Sequence, residues 1–280
     1  MKIIENQTLD QERALYGLRD ALVQNCVFAG AADGESALKE CRSIWVEDCH
    51  FHLRYPFWHT EGAQVRRITM EETCRAAFWY DRNVQVHDSR LGGIKAFREM
   101  DDCALLGCAI ESKEFGWFCR GLTVRNTRLI SKYPFFQCRD MDIDGLTMTA
   151  KYSFQYCENL TIRNSTLDTK DAFWHAKNVT VYDSVIRGEY LAWYSENVRL
   201  VRCKLIGTQP LCYCRGLILE DCTMEGCDLS FENSEVTATV AGPIDSVKNP
   251  HTGSIRADSI GEIILDEYKW DGVCDICTNT

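Results

Sequence analysis

Apolar side chains recur along this chain at every nineteenth position, and the interval is kept strictly through the middle of the sequence. One series consists of Val86, Leu105, Val124, Ile143, Ile162, Val181, Leu200 and Leu219, and a second, two positions earlier, of Val84, Cys103, Leu122, Met141, Leu160, Val179, Val198 and Leu217. Residues two apart on a β-strand share a face, so each pair predicts a short strand with one buried face. So constant a register predicts that successive strands stack on one another as a solenoid.

A turn-forming residue stands directly before each of these predicted strands. The eight residues are Asn83, Asp102, Gly121, Asp140, Asn159, Asn178, Asn197 and Gly216. Because these residue types tolerate a left-handed backbone, we expect them at a corner between two sheets. Strand, corner, strand and corner within one such interval is typical of one coil of a parallel β-helix. Left-handed hexapeptide helices need coils in multiples of six, so the interval favours the right-handed form.

The same register extends to Ala21 and Val23 at one end and to Val236 and Ala238 at the other. It predicts an all-β, right-handed, single-stranded parallel β-helix of about twelve coils. No linker interrupts the period, so we expect a single β-helix domain over residues 1–280. Within it we expect an N-terminal cap at 1–13, coils at 14–239 and an irregular C-terminal cap at 240–280, because open strand edges must be blunted.

Composition narrows the functional classes. The formal net charge of −10 argues against binding to nucleic acid. No stretch approaches the length of a membrane span, and the first ten residues contain no apolar signal segment.

Ten of the sixteen cysteines fall in two repeat columns: Cys41, Cys119, Cys138, Cys157 and Cys214, and Cys26, Cys49, Cys108, Cys203 and Cys222. Free cysteine packs as a small hydrophobe in a reducing compartment, so we expect a cytoplasmic protein.

Aromatic residues occupy three adjacent columns of the repeat. The first contains Phe57, Phe78, Phe97, Phe135, Phe154 and Phe173, the second Trp58, Trp79, Trp117, Trp174 and Trp193, and the third His59, Tyr80, Phe118, Tyr156, His175, Tyr194 and Tyr213. Adjacent residues of a strand point to opposite faces, so the three columns cannot all be core. Two interpretations stay open: an outward row of rings that stacks on sugars, or a wide core covered by a terminal segment or a partner chain.

Lysines form a further column at Lys113, Lys132, Lys151 and Lys170. Like charges about 4.8 Å apart repel by about 1 kcal/mol per pair even in water, so the row predicts an anionic partner such as an oligosaccharide of uronates or a sugar phosphate. The alternative is that these flexible side chains splay over neighbouring tyrosines and pair with nearby carboxylates.

The densest polar cluster lies at residues 167–175 and supplies the predicted catalytic residues Asp168, Lys170, Asp171 and His175. A base and a cation beside a substrate carboxylate would suit a carbohydrate lyase, and a carboxylate pair would suit a glycoside hydrolase. The alternative is that these are ordinary surface charges. The predicted ligand-binding residues around the cluster are Lys113, Lys132, Lys151, Tyr152, Tyr156, Trp174, Glu189, Trp193 and Tyr194.

Cys274 and Cys277 form a lone pair with two intervening residues, whereas a structural zinc site needs four ligands. The six histidines show no ligand spacing either. We therefore predict no metal site and no cofactor.

Seven stretches of the chain together resemble a bacterial family of unknown function. They are ERALYGLRDAL (12–22), DGESALKECR (33–42), LRYPFWHTEG (53–62), KYSFQYCENLTI (151–162), DTKDAFWHAKNVTVYDS (168–184), GTQPLCYC (207–214) and IDSVKNP (244–250). The resemblance covers essentially the whole chain and implies a single β-helical domain, without catalytic residues to carry over. Members are sometimes labelled as hydrogenases, but such a metal site needs clustered cysteine ligands, and the cysteines here are spread through the repeat.

Two functions therefore remain open. The first is a β-helix that binds or processes an anionic oligosaccharide or sugar phosphate along its aromatic and lysine columns, with any catalysis of lyase or hydrolase type. The second is a non-enzymatic scaffold whose aromatic face binds another protein or a second copy of the chain. The first predicts a monomer with an open cleft near Lys151, Lys170, Trp174 and Trp193, and the second predicts a homodimer that buries these tryptophans.

Overall fold

The structure, a computed structural model, describes residues 1–31, 34–266 and 272–279. These residues form β-strands, turns and irregular segments, without a helix. The chain makes about 14 turns of a parallel β-solenoid with a period near 19 residues, which confirms the predicted fold class. It divides into two compact units, Met1–Asp142 and Ile143–Thr280, hereafter unit 1 and unit 2.

Unit 1 consists of short strands that recur once or more per coil. They are β1 (Lys2–Glu5), β2 (Thr8–Leu9), β3 (Arg19–Gln24), β4 (Val27–Phe28), β5 (Arg42–Glu47), β6 (His50–Phe51), β7 (Phe57–Trp58), β8 (Gln64–Arg66), β9 (Thr69–Met70), β10 (Phe78–Trp79), β11 (Gln85–His87), β12 (Arg90–Leu91), β13 (Phe97–Arg98), β14 (Ala104–Leu106), β15 (Ala109–Glu111), β16 (Glu114–Phe115), β17 (Thr123–Arg125), β18 (Arg128–Ile130) and β19 (Tyr133–Pro134). Strands β1, β3, β5, β8, β11, β14 and β17 pair in parallel as one stack. Strands β2, β4, β6, β9, β12, β15 and β18 form a second parallel stack.

The division between the units falls within β20 (Arg139–Asp144). Unit 2 then contains β21 (Thr147–Lys151), β22 (Glu158–Arg163), β23 (Thr166–Lys170), β24 (Lys177–Tyr182), β25 (Val185–Arg187), β26 (Glu196–Val201), β27 (Lys204–Ile206), β28 (Leu217–Glu225), β29 (Glu235–Lys248), β30 (Thr252–Ile264) and β31 (Val273–Thr278). One parallel stack runs through β22, β24, β26, β28, β29, β30 and β31. The other runs through β21, β23, β25, β27 and the end of β28.

The turns beyond the predicted twelve lie near the ends of the chain. Strand β1 follows the regular interval, because Ile4 pairs with Val23. Strands β29 and β30 instead pair at a shorter offset, where Val236 meets Gly253, and β30 and β31 pair at a longer one, where Thr252 meets Val273. A search at one fixed interval misses such coils. The segments predicted as caps, 1–13 and 240–280, therefore contain paired strands, and residues 267–271 and 280 of the second segment lie outside the described residues.

All eight predicted corner residues adopt the left-handed backbone, with φ between 51° and 64°. Three of them also hydrogen-bond to one another at the surface of unit 2. Asn178 Nδ2 donates to Asn159 Oδ1 at 3.0 Å, and Asn197 Nδ2 donates to Asn178 Oδ1 at 3.1 Å. The predicted corner is confirmed, and its asparagines add a ladder of amide hydrogen bonds between coils.

The three aromatic columns have different environments. The phenylalanines of the first column are buried. The rings of Phe57 and Phe78 stack with centroids 4.6 Å apart, and those of Phe154 and Phe173 with centroids 5.1 Å apart. Most tryptophans of the second column are half-buried, and most residues of the third are exposed. The prediction that the columns cannot all be core is confirmed.

Fourteen of the sixteen cysteines are buried, and none of the sixteen is in a disulfide. Several thiols donate to a carbonyl of the preceding coil, as Cys108 Sγ does to Val86 O at 3.4 Å and Cys222 Sγ to Leu200 O at 3.3 Å. Burial raises the pKa of the Cys41 thiol to about 12. The cysteine columns thus pack as small core residues, as predicted.

Candidate functional site

The predicted ligand face of unit 2 lies at the surface. Tyr156, Trp174 and Tyr194 are 44%, 37% and 43% exposed, whereas Trp193 and Tyr152 are half-buried. The outward columns of the repeat therefore bring these aromatic residues together on one side of the coils.

Four residues of the third column form a continuous stack of rings, which we call the ring ladder: Tyr156, His175, Tyr194 and Tyr213. Successive ring centroids lie 5.2, 5.2 and 4.7 Å apart, with planes within 12° of parallel. The faces of His175 and Tyr194 are therefore turned toward neighbouring rings, and their edges are what solvent reaches. The ladder offers polar ring edges rather than the open aromatic faces on which a sugar would stack.

The two tryptophans beside the ring ladder are also engaged. Trp193 donates its Nε1–H to Gln209 O at 2.7 Å and meets Tyr213 edge-on at 5.5 Å. Trp174 packs at 5.5 Å against His175 and at 6.2 Å against Tyr156. Trp174 is consequently the tryptophan here with the most surface available to a partner.

The predicted catalytic cluster is held by local ion pairing. Lys170 Nζ lies 2.8 Å from Glu189 Oε2 and 5.0 Å from the centroid of the Tyr190 ring. Burial raises the pKa of Asp171, to which the negative charge of Glu189 adds. Asp168 is exposed on β23, whereas His175 lies in the ring ladder. Lys170 thus takes the alternative role foreseen for this column, covering a tyrosine and pairing with a carboxylate.

The other predicted lysines are less constrained. Lys113, Lys132 and Lys151 are exposed, and Lys132 Nζ lies 5.2 Å from the ring centroid of its neighbour Tyr133. Lys151 pairs in register with Lys170. The lysine column is therefore only partly available to an anion.

A larger site lies in unit 1, on the stack formed by β6, β9, β12, β15 and β18. It is an open groove of about 680 Å³, which we call the arginine groove; its lining includes His52, Glu71, Arg90, Gly92, Ala109, Glu111, Arg128 and Ile130. None of these residues belongs to the predicted site. The groove is therefore the main functional candidate that the sequence patterns did not reveal.

Two outward columns of side chains build the arginine groove. In the first, strand pairing brings His50, Thr69, Arg90, Ala109 and Arg128 into register on successive coils. The second lies two residues further along each strand and contains His52, Glu71, Gly92, Glu111 and Ile130. Because alternate residues of a strand share a face, both columns point outward while Leu91 and Ile110 between them are buried.

Small residues open the space between the larger ones. Ala109 separates Arg90 from Arg128, and Gly92 separates Glu71 from Glu111. A Cβ atom at Gly92 would lie 2.7 Å from Met70 O and 3.1 Å from the carbonyl carbon of Glu71, so the backbone approach itself requires glycine. The hollow in the groove is thus built into the strand packing.

Charge in the groove is distributed unevenly. His50 Nε2 lies 2.8 Å from Glu71 Oε1, and its hydrogen bond is the main cause that lowers the pKa of Glu71, with Arg90 adding a smaller coulombic effect. Because an ionised carboxylate only accepts hydrogen bonds, His50 is the donor. The His52 ring lies 4.3 Å from that of His50. No carboxylate of the described residues lies within ion-pair distance of the Arg90 or Arg128 guanidinium.

The signal for this groove was weak in the sequence because its arginines alternate with alanine. Arg90 and Arg128 stand two coils apart, so a search for one residue type at every coil does not show them. The step from Thr69 to Arg90 is also longer than the regular interval. A search for pairs two coils apart would have found the arginines.

No group of three or more His, Cys, Asp and Glu residues suited to a metal ion occurs within 1–31, 34–266 and 272–279. The same described residues contain no helix long and apolar enough to cross a membrane.

These features define a parallel β-solenoid protein with an outward groove of mixed charge. The chain belongs to the family described as protein of unknown function (DUF3737), whose profile matches residues 2–277, and the predicted family resemblance is confirmed. No curated protein has a sequence that matches this chain.

Solved structures similar to this chain are also β-helices. The A-module of mannuronan C-5 epimerase AlgE6 from Azotobacter vinelandii shares 9% identity over 94% of this chain and 88% of that chain, with a TM-score of 0.50. The AlgE4 A-module from the same organism shares 10% identity over 85% and 89%, with a TM-score of 0.41. The catalytic domain of a GH87 α-1,3-glucanase in complex with tetrasaccharides shares 11% over 99% and 64%, with a TM-score of 0.33. At such identities the likeness to the AlgE6 module shows the fold alone.

Proposed function

We propose that this protein binds an anionic oligosaccharide, of the uronate type, in the arginine groove. The observation that carries the proposal is the outward pair Arg90 and Arg128, two coils apart, with the short side chain of Ala109 between them. A guanidinium group binds a carboxylate through two parallel hydrogen bonds, and neither of these is held by a carboxylate of the described residues.

The spacing favours a chain of sugars over a single sugar phosphate. Strands on successive coils lie about 4.8 Å apart, so the two arginine backbones are separated by about 9–10 Å. A single phosphate group binds one guanidinium group, whereas an oligosaccharide with repeated carboxylates can bind both arginines. We therefore propose that the arginine pair, rather than the lysine column, binds the anion that the sequence predicted.

The remaining lining suits a sugar. Ile130, which is 38% exposed, offers an apolar surface to the C–H face of a ring, and Glu71 and Glu111 can accept hydrogen bonds from hydroxyl groups. Binding sites for small molecules commonly combine apolar surface with a few placed polar groups. The name of the AlgE6 epimerase, whose module shares this fold, includes mannuronan, which is a polymer of uronate residues.

Calorimetry with tetrasaccharides of galacturonate, mannuronate and glucuronate tests the proposal. We expect one of these tetrasaccharides to bind wild-type protein. Arg90→Ala and Arg128→Ala should each weaken its binding by about ten- to hundred-fold, because this is the change in affinity that the loss of a hydrogen bond to a charged group produces. Arg19→Ala, which removes an exposed arginine on β3 of the same unit, is the matched control. Equal loss in the control, or equally tight binding of inorganic phosphate, would contradict the proposal.

The buried thiols support a further part of the proposal, a cytoplasmic location. Fourteen buried cysteines without a disulfide suit a reducing compartment, because oxidising compartments drive neighbouring thiols to pair.

A second candidate function is a scaffold that uses the aromatic face of unit 2. The observation that favours it is the contiguous exposure of Tyr156, Trp174 and Tyr194, a pattern typical of interfaces. Sedimentation equilibrium at micromolar concentration would then show a dimer that Trp174→Ala disrupts while uronate binding is unchanged. If the wild-type protein is a monomer at this concentration, the hypothesis that the aromatic face forms a homodimer is contradicted.

A further inference from the structure

The arginine groove places two carboxylates on either side of the space where a sugar would lie. Glu71 and Glu111 directly follow Met70 and Ile110, which are brought into register through Leu91 on the intervening coil. Both glutamates line the groove, and the residue between them in the column is Gly92. No side chain at that column position therefore fills the gap between the two carboxylates.

We propose that the groove hydrolyses a glycosidic bond of its anionic oligosaccharide with inversion of configuration, with Glu71 as the general base and Glu111 as the general acid. The inference rests on the proposed function, because Arg90 and Arg128 hold the substrate across the two glutamates.

The spacing of the two glutamates along the coils favours inversion over retention. Inverting glycosidases keep their carboxyl groups about 6.5–9.5 Å apart to admit a water molecule, whereas retaining enzymes hold them at about 5–5.5 Å. Carboxylates on adjacent coils would stand about 5 Å apart, but Glu71 and Glu111 are two coils apart, with backbones separated by about 9–10 Å. The extra coil, occupied by Gly92 and Arg90, leaves room for the sugar ring and the water.

The contacts of Glu71 assign the two roles. His50 Nε2 donates to Glu71 Oε1 and thereby lowers the pKa of Glu71, so this carboxylate is ionised and its Oε2 remains for a water molecule. An ionised carboxylate can take a proton but cannot supply one, so the acid must be the second glutamate.

The reaction balances with water as the co-reactant. The water oxygen forms a bond to the anomeric carbon from one face while its proton passes to Glu71. The bond between the anomeric carbon and the glycosidic oxygen breaks on the other face, and Glu111 gives its proton to that oxygen. Solvent exchange returns a proton from Glu71 to Glu111 before the next cycle.

Product analysis on the three uronate tetrasaccharides tests this assignment. We expect wild-type protein to release reducing ends, with proton NMR showing first the anomer opposite to that of the substrate linkage. Glu71→Gln and Glu111→Gln should each lower the rate by about 10²- to 10⁴-fold, the usual contribution of a general acid or base, while calorimetry still shows binding. Glu262→Gln, an exposed carboxylate on β30, is the control. Circular dichroism checks that each variant is folded.

The outcomes separate the two proposals. Binding without release of reducing ends overturns the hydrolase assignment and leaves the proposed function standing. A retained anomer, or products that carry a C4=C5 double bond, overturns the inverting mechanism in the same way. Absence of binding to all three tetrasaccharides overturns both.

Discussion

Among single residues, Asp81 stands out because its carboxyl group is fully buried. Its Oδ1 accepts the backbone N–H of Thr60 at 2.7 Å, whereas its Oδ2 has no hydrogen-bond partner among the described residues. Burial raises the pKa of Asp81 well above 3.8. The folded protein therefore favours the protonated carboxyl group of Asp81, because an unpaired buried charge would cost far more free energy.

Replacing this carboxyl should change how stability depends on pH. The folded state holds the Asp81 proton more tightly than the unfolded chain. Proton binding at Asp81 therefore contributes fully to the free energy of unfolding below about pH 4, and this contribution is lost as the pH rises through the pKa of the folded state. Within that window the free energy of unfolding should fall by about 1.4 kcal/mol per pH unit in wild-type protein relative to Asp81→Asn. Urea denaturation of both proteins across the window measures the difference. Parallel curves for the two proteins would show that Asp81 is already ionised in the fold.

Among structural elements, the corner that precedes each strand of the first stack was the most predictable. The prediction succeeded because left-handed backbone strongly selects Asn, Asp and Gly. That selection holds at the eight successive coils from Asn83 to Gly216, whereas Ser43 takes the corresponding left-handed position in β5. The first aromatic column was predictable for a similar reason, since every coil must fill the same core volume. The arginine groove was not, because outward positions need no common residue type from coil to coil. Its shape depends on where Gly92 and Ala109 interrupt two columns of larger side chains.

The amide ladder at the corner gives a test at this scale. Asn178 both donates to Asn159 and accepts from Asn197, and its φ is 54°. Asn178→Ala should lower the free energy of unfolding by about 2–3 kcal/mol, because it loses two hydrogen bonds and adds left-handed strain. Asn178→Gly loses the same bonds without that strain and should cost about 1 kcal/mol less. Equal losses for alanine and glycine, measured by guanidinium denaturation, would mean that backbone strain contributes nothing here.

For the molecule as a whole, the accessibility of the cysteine thiols measures how readily the coils open to solvent. Thiols are buried in both units, from Cys26 to Cys227, and burial raises the pKa of several, to about 12 for Cys74 and Cys212. The thiolate is the reactive form, so such groups are protected both by packing and by their protonation. Cys274 and Cys277 on β31 are the two that are partly exposed, and although burial also raises the pKa of Cys274 to about 11, a reagent reaches both without opening of the coils. Reactivity with an aromatic disulfide reagent should therefore divide the sixteen thiols sharply.

We expect at most two thiols to react rapidly in the native protein at mildly alkaline pH, and all sixteen to react in guanidinium. The Cys274→Ser/Cys277→Ser variant should show no rapid phase, which assigns the phase to β31. The slow reaction of the other fourteen requires opening of coils, so its rate follows the free energy of local opening along the chain. Rapid labelling of more than two thiols would mean that some coils open readily in the native state. Labelled peptides, identified by mass spectrometry, would then locate those coils relative to the arginine groove and the ring ladder.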